Sequence, residues 1–226
     1  MPNPVIDNNA KNTACSDGVM VAQMDQRPKV TVGAQSPLAH ADFANQAKHG
    51  RQQGGVYLQE HKLLGHMVLR GNRDDIDFSH AIASILGVPL PPALTRHENG
   101  ELSIRWISPD EWLVILPDEQ TFALEARLRE ALTGHFSIVN VSGAQTLLTL
   151  SGSDARSVLQ KSTGYDVHPS NFAIGKSVTT TFAKTQCVLC RHDEDSWQIV
   201  VRRSFADYLW LWLQDASAEF CLVIRQ

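Results

Sequence analysis

Long hydrophobic runs are missing from these 226 residues, and none approaches the ~18 consecutive apolar side chains of a membrane-spanning helix. No basic start leads into an apolar stretch of ~7–15 residues, so the N-terminus does not read as a secretory signal. Cysteine is scarce: four residues, scattered along the chain, offer no disulfide framework and suit a cytoplasmic protein. An excess of positive charge is also lacking. Twenty Lys and Arg against 24 Asp and Glu leave a formal charge of −4. Such a surface is a poor partner for a phosphate backbone or an anionic membrane. Phosphate-loop, dinucleotide, zinc-protease and serine-elbow motifs are absent as well. What is present, 43% hydrophobic and 19% charged residues, is the composition of an ordinary globular protein.

That average conceals a break. Phe43 is the only aromatic residue in positions 1–55, whereas all five Trp fall after them. Stretches such as Asn8-Asn9-Ala10-Lys11-Asn12 and Gln52-Gln53-Gly54-Gly55 cannot bury enough apolar area to offset the entropy of ordering. The sequence therefore predicts a disordered tail over residues 1–35 and a linker over residues 36–55 that docks locally.

Periodicity organises the remainder. Leu63 to Arg70 reads as a strand, followed by a helix with Asp74 or Asp75 as its N-cap. Phe78, Ile82, Ile85 and Leu86 form one apolar stripe that stops at Gly87. Leu102 to Trp106 and Trp112 to Leu116 are strands joined by the turn Ser108-Pro109-Asp110-Glu111. Asp118 caps a second helix, and Phe136 to Val141 closes the set with a strand. The order β-α-β-β-α-β is that of the ferredoxin-like split βαβ sandwich. A similar order follows: a strand at Thr146 to Leu150, a helix opened by Ser153, and strands at 178–182, 186–191 and 197–201. A helix opened by Ser204-Phe205-Ala206-Asp207 and a final strand at 220–224 complete it. The expected fold is α+β, with two ferredoxin-like units packed together, over residues 56–142 and 143–226.

Candidate chemistry is thin. Cys187 and Cys190 form a C-x-x-C pair, but on a strand residues three apart face opposite sides and their sulfurs diverge. Asp74/Asp75, Asp110/Glu111 and Asp193/Glu194/Asp195 stand at helix starts and turn tips, where carboxylates are solvated rather than tuned for catalysis. His168, beside Asp166, has no nucleophile placed near it by the sequence. The last helix is different. Counted from Phe205, the side chains of Leu209, Trp212, Leu213 and Ala216 share one face, while Trp210 and Leu211 point to the other side. A second apolar face implies another layer of the same chain or a partner subunit. Trp210 and Leu211, with Tyr208, are the interface candidates.

Several segments also carry a resemblance. Ser36-Pro37-Leu38, Trp106-Ile107-Ser108-Pro109-Asp110-Glu111-Trp112-Leu113, Ser151-Gly152-Ser153-Asp154-Ala155 and Arg203-Ser204-Phe205-Ala206-Asp207-Tyr208-Leu209-Trp210 stand in the order seen in gamma subunits of heterotetrameric sarcosine oxidase. The match runs over about residues 36–215. That family is similar in fold to the folate-binding aminomethyltransferase of the glycine cleavage system. The resemblance implies a complex with alpha, beta and delta subunits that oxidises sarcosine with O2 to glycine and hydrogen peroxide. With tetrahydrofolate it also gives methylene-tetrahydrofolate. FAD, FMN, NAD, tetrahydrofolate and zinc are implied for the complex, and no catalytic, cofactor-binding or metal-binding residue for this chain. Asn140-Val141-Ser142 stands where the folate enzymes tend to have Asp-Val-Ser. The alternative is a stand-alone folate-dependent one-carbon transferase, which calorimetry with tetrahydrofolate separates from an accessory subunit. On the sequence alone, Trp210→Ala is expected to weaken subunit association by ~2 kcal/mol or more while the isolated fold persists.

Overall fold

The structure, a computed structural model, describes residues 33–226; most of the expected tail lies outside the described residues. The described chain opens with a turn and helix α1 (Phe43–His49), whose N-cap Asp42 accepts a hydrogen bond from the Asn45 amide. Leu38 and Phe43 are buried in the core. The Ser36 hydroxyl donates to a carboxylate oxygen of Glu60, itself buried, at 2.8 Å.

Two sheets follow. One contains β1 (Val56–His61), β7 (Gln145–Ser151), β8 (Ser177–Phe182), β9 (Thr185–Asp193), β10 (Ser196–Arg202) and β11 (Leu222–Arg225) in the order β11-β1-β7-β10-β9-β8. The other contains β2 (Leu64–Arg70), β3 (Arg96–Asn99), β4 (Leu102–Ser108), β5 (Glu111–Pro117) and β6 (Ser137–Asn140) in the order β3-β4-β5-β2-β6. With α2 (Ile76–Leu86) after β2 and α3 (Asp118–Ala131) after β5, the second sheet has the split βαβ connectivity that the sequence order implies. The first sheet repeats it with α4 (Ala155–Ser162) and α5 (Arg203–Ala216), but with an intruder. β1 lies between β7 and β11, antiparallel to the former and parallel to the latter. Residues 56–61 thus belong with the sheet of residues 145–225, not with the first unit. The expected strand beginning at Leu63 begins at Leu64 instead, because Leu63, at φ 55, makes the turn between the two sheets.

Alternation along the strands gives three apolar layers. Trp112, Val114 and Leu116 of β5 pack under α2 and α3 with Phe78, Ile82 and Leu128. Leu113 and Ile115, pointing the other way, meet Leu147 of β7 and Val200 of β10. Beyond the first sheet, Leu148, Trp197 and Val201 pack under α4 and α5. The result is helices, sheet, sheet, helices. Asp75 caps α2 by accepting from the Asp77 and Phe78 amides at 3.0 and 3.2 Å, and Gly87 ends it at φ 72, which glycine adopts freely. Among the described residues no helix is long and apolar enough to cross a membrane.

Phe43 precedes the first strand yet is only 2% exposed, with its ring 4.9 Å from that of Trp210. Phe43→Ala is expected to lower the unfolding free energy by ~3–5 kcal/mol, read as a drop in the urea midpoint. A change under about 1 kcal/mol would show that α1 is an appendage.

Candidate subunit-contact surface and the seam between the sheets

The buried face of α5 is Ala206, Leu209, Trp210, Leu213 and Ala216, the i, i+3, i+4, i+7 pattern of a helix lying on a sheet. This frame is rotated from the one counted from Phe205, which is 42% exposed. Trp210 is only 5% exposed because Phe43 of α1 covers it. Its second apolar face is satisfied within the chain, and Trp210 is a core residue, not a free interface residue. Trp212 is half-buried and donates from its indole nitrogen to the Ser162 hydroxyl at 3.0 Å. Leu211, in contrast, is 56% exposed, and Tyr208 is half-exposed. With Phe205 they make an outward stripe at i, i+3 and i+6. Periodicity counted from Phe205 puts that residue on the buried face, whereas the structure leaves it outside.

The polar groups gather elsewhere, between the sheets. Arg96 and Arg105 are register partners on β3 and β4, so both side chains leave the same face. Both reach across to the side-chain oxygen of Gln198 on β10: Arg96 Nη1 at 3.3 Å, and Arg105 through Nη2. Arg96 also pairs with Glu98 at 3.1 Å, and its Nη2 lies 2.6 Å from His192 Nδ1. Arg105 is buried, and its Nε and Nη1 have no hydrogen-bond partner among the described residues. Burial pushes its pKa down to about 10, which still leaves a cation at neutral pH. Sequence periodicity marked Arg105 only as one residue of a strand.

His66 of β2 is buried in the same layer. Its Nδ1 lies 3.1 Å from the Leu64 carbonyl, which can only accept, so Nδ1 carries the proton and Nε2 is an acceptor without a partner among the described residues. Burial pushes His66 down to about 4, with the Arg105 charge adding to it and the Leu64 carbonyl opposing. His61 and His192 are likewise held below their ordinary value, first by burial and then by Arg105 and Arg96 respectively.

The other candidates are scattered. Cys187 packs in the helix-side core, whereas Cys190 faces the seam, so their sulfurs diverge across β9. Burial raises both thiols, Cys187 to about 12, so neither is a thiolate near neutral pH. Asp75 is a helix cap, and Asp110 pairs with Arg70 at 3.0 Å. His168 Nδ1 lies 2.7 Å from the Ser170 hydroxyl in an exposed turn, and Asp166 accepts from the His168 amide. No group of three or more His, Cys, Asp or Glu among the described residues could hold a metal ion.

Comparison with known proteins first defines the class. The structure of glycine cleavage system aminomethyltransferase T from Bartonella henselae superposes with a TM-score of 0.62 at 14% identity, covering 83% of this chain and 58% of that one. The fold is therefore that of the aminomethyltransferases. The chain belongs to the sarcosine oxidase gamma subunit family, whose family model matches residues 70–219. Sarcosine oxidase subunit gamma from Corynebacterium sp. (strain U-96) is 33% identical over 189 residues, 82% of this chain and 90% of the relative. That from an Arthrobacter species is 31% identical over 188 residues, again 82% of this chain and 90% of the relative. A chain of the heterotetrameric sarcosine oxidase from Corynebacterium sp. U-96, in complex with pyrrole 2-carboxylate, superposes with a TM-score of 0.74 at 31% identity. That match covers 83% of this chain and 96% of the other.

The seam generates a pH dependence. Unfolded His66 binds a proton near pH 6.5, whereas the folded residue resists until about 4. Between those values the unfolded state holds more protons, so stability falls as the pH drops through this window. The loss approaches roughly 3 kcal/mol, and His66→Gln removes its share of the slope in urea unfolding between pH 7 and 4.5. Gln198→Leu, which strips both guanidinium groups of their shared acceptor at similar volume, is expected to cost ~2–3 kcal/mol by the same assay.

Proposed function

We propose that this chain is the accessory gamma subunit of a heterotetrameric sarcosine oxidase, assembling with alpha, beta and delta subunits. The complex would demethylate sarcosine to glycine with O2, giving hydrogen peroxide and methylene-tetrahydrofolate, in the cytoplasm. FAD, FMN, NAD, tetrahydrofolate and zinc would be held by the other subunits, and this chain would supply shape and contact surface rather than reacting groups. The observation that carries the reading is the match to a chain of the solved heterotetramer across 96% of that chain's length.

The residue chemistry supports it. Burial raises both thiols, the acidic pairs cap helices or neutralise surface arginines, and Arg96 and Arg105 both bond the Gln198 side chain. Trp210 is consumed in the chain's own core, which leaves the Phe205, Tyr208 and Leu211 stripe of α5 to face a partner.

Two measurements test the reading. Co-expression of all four subunits with a tag on this chain should recover a complex with oxidase activity, and the isolated chain should show no heat of binding with tetrahydrofolate. Leu211→Asp should weaken recovery of the partners by about tenfold or more while the isolated chain keeps its thermal midpoint. Tight folate binding by the isolated chain, with no recovery of partners, would favour a stand-alone one-carbon enzyme instead.

A further inference from the structure

The layer between the sheets does not close at every end. Where β4 turns into β5 and β10 runs into α5, an open groove of about 1070 Å³ separates the two sheets. Its floor continues the inter-sheet core: Val68, Ile107, Val141 and Val188 are only partly buried, pack against that core and line the groove. Four neighbouring aliphatic side chains left partly open, over the buried Val200, are more apolar surface than a strand end exposes without a reason. The groove lies open along the surface rather than enclosing a ligand, unlike a small-molecule cleft.

Charge decides what fits. Arg202 and Arg203, both exposed, line one wall where α5 begins. The Arg202 side chain, at the end of β10, has no hydrogen bond or ion pair to any described residue. The Arg203 side chain has, among the described residues, one bond, from Nη1 to the Gln35 carbonyl at 3.4 Å. Among the described residues Glu111 is the one acidic residue lining the groove, on the opposite sheet. An unneutralised arginine pair beside an aliphatic floor complements a segment that carries apolar side chains and at least one carboxylate. Ser204 lines the groove and Phe205 follows it, so the groove continues onto the outward stripe of α5.

We infer that this groove receives an aliphatic, carboxylate-bearing segment of another subunit of the oxidase. The inference rests on the gamma-subunit reading. The carboxylate binds Arg202 and Arg203, and the aliphatic side chains complete the layer that Leu113, Ile115, Leu147 and Val200 begin.

The test uses the full chain co-expressed with the other three subunits. The paired change Arg202→Glu with Arg203→Glu alters only exposed side chains, and Thr179→Trp places bulk on an exposed residue that lines the groove. Each is expected to weaken association by about tenfold or more, measured by titration of the purified variant against the remaining subunits. The charge variant should also lose most of the salt dependence that the unmodified chain shows. Thermal midpoints within a few degrees of the unmodified chain confirm that the fold persists, and Arg202→Gln with Arg203→Gln serves if charge reversal unfolds it. If the unmodified chain assembles and folded groove variants assemble within about twofold of it, the groove inference fails while the subunit reading stands. If the unmodified chain recovers no partner at all, the subunit reading fails, and the groove inference with it. A dimer of the isolated chain that Thr179→Trp splits would assign the groove to a second copy and overturn the inference.

Discussion

Two sheets lying face to face constrain everything else in this protein. Their contact is narrow: four fully buried aliphatic side chains, Leu113, Ile115, Leu147 and Val200, with partly buried neighbours around them. A strand in such a layer must be apolar on both faces, which is why β5 reads Trp112-Leu113-Val114-Ile115-Leu116 without a polar interruption. Beside the aliphatic contact, Arg96 and Arg105 reach over the gap to one side-chain oxygen, that of Gln198. A buried cation is costly, and such pairs are weak stabilisers compared with apolar packing. The observed alignment of β3 and β4 over β10 gives both guanidinium groups one shared acceptor.

The chain path reinforces that alignment. It enters in one sheet through β1, turns at Leu63, and builds the other sheet from β2 onward before returning at β7. One sheet is the continuous stretch from β2 to β6, whereas the other is split in sequence between β1 and the strands from β7 onward. Residues 36–49 then pack against the buried face of α5 through Phe43 on Trp210, and against β1 through Ser36 on Glu60. Glu60 also accepts from the Thr146 hydroxyl at 3.1 Å, so the opening segment is tied to both β1 and β7. The helix that carries the exposed Phe205, Tyr208 and Leu211 is thereby clamped from behind, which suits a rigid contact surface.

Much of this was legible in the residues. The stripe of Phe78, Ile82 and Leu86 between Asp75 and Gly87 specified α2 with both its ends, since caps and periodicity are local physics. The divergence of Cys187 and Cys190 followed from strand geometry alone. What was not legible depended on contacts distant in sequence. Nothing local says that Val56 to His61 pairs with Leu222 to Arg225, some 165 residues away. Trp210 was apolar on a seemingly free face only because its cover, Phe43, lies in a polar stretch whose composition suggests a linker. The Arg105–Gln198 bond, spanning two sheets, left no periodic trace at all.

A helix clamped on its inner face and apolar on its outer face belongs to a chain built for assembly. Hydroxyl-radical footprinting of side chains, on the free chain and on the four-subunit complex, tests that claim most directly. Phe205 and Leu211 should be labelled in the free chain and protected in the complex, while Trp210 stays unlabelled in both. Equal labelling of Phe205 and Leu211 in the two states, or strong labelling of Trp210 in the free chain, would contradict it.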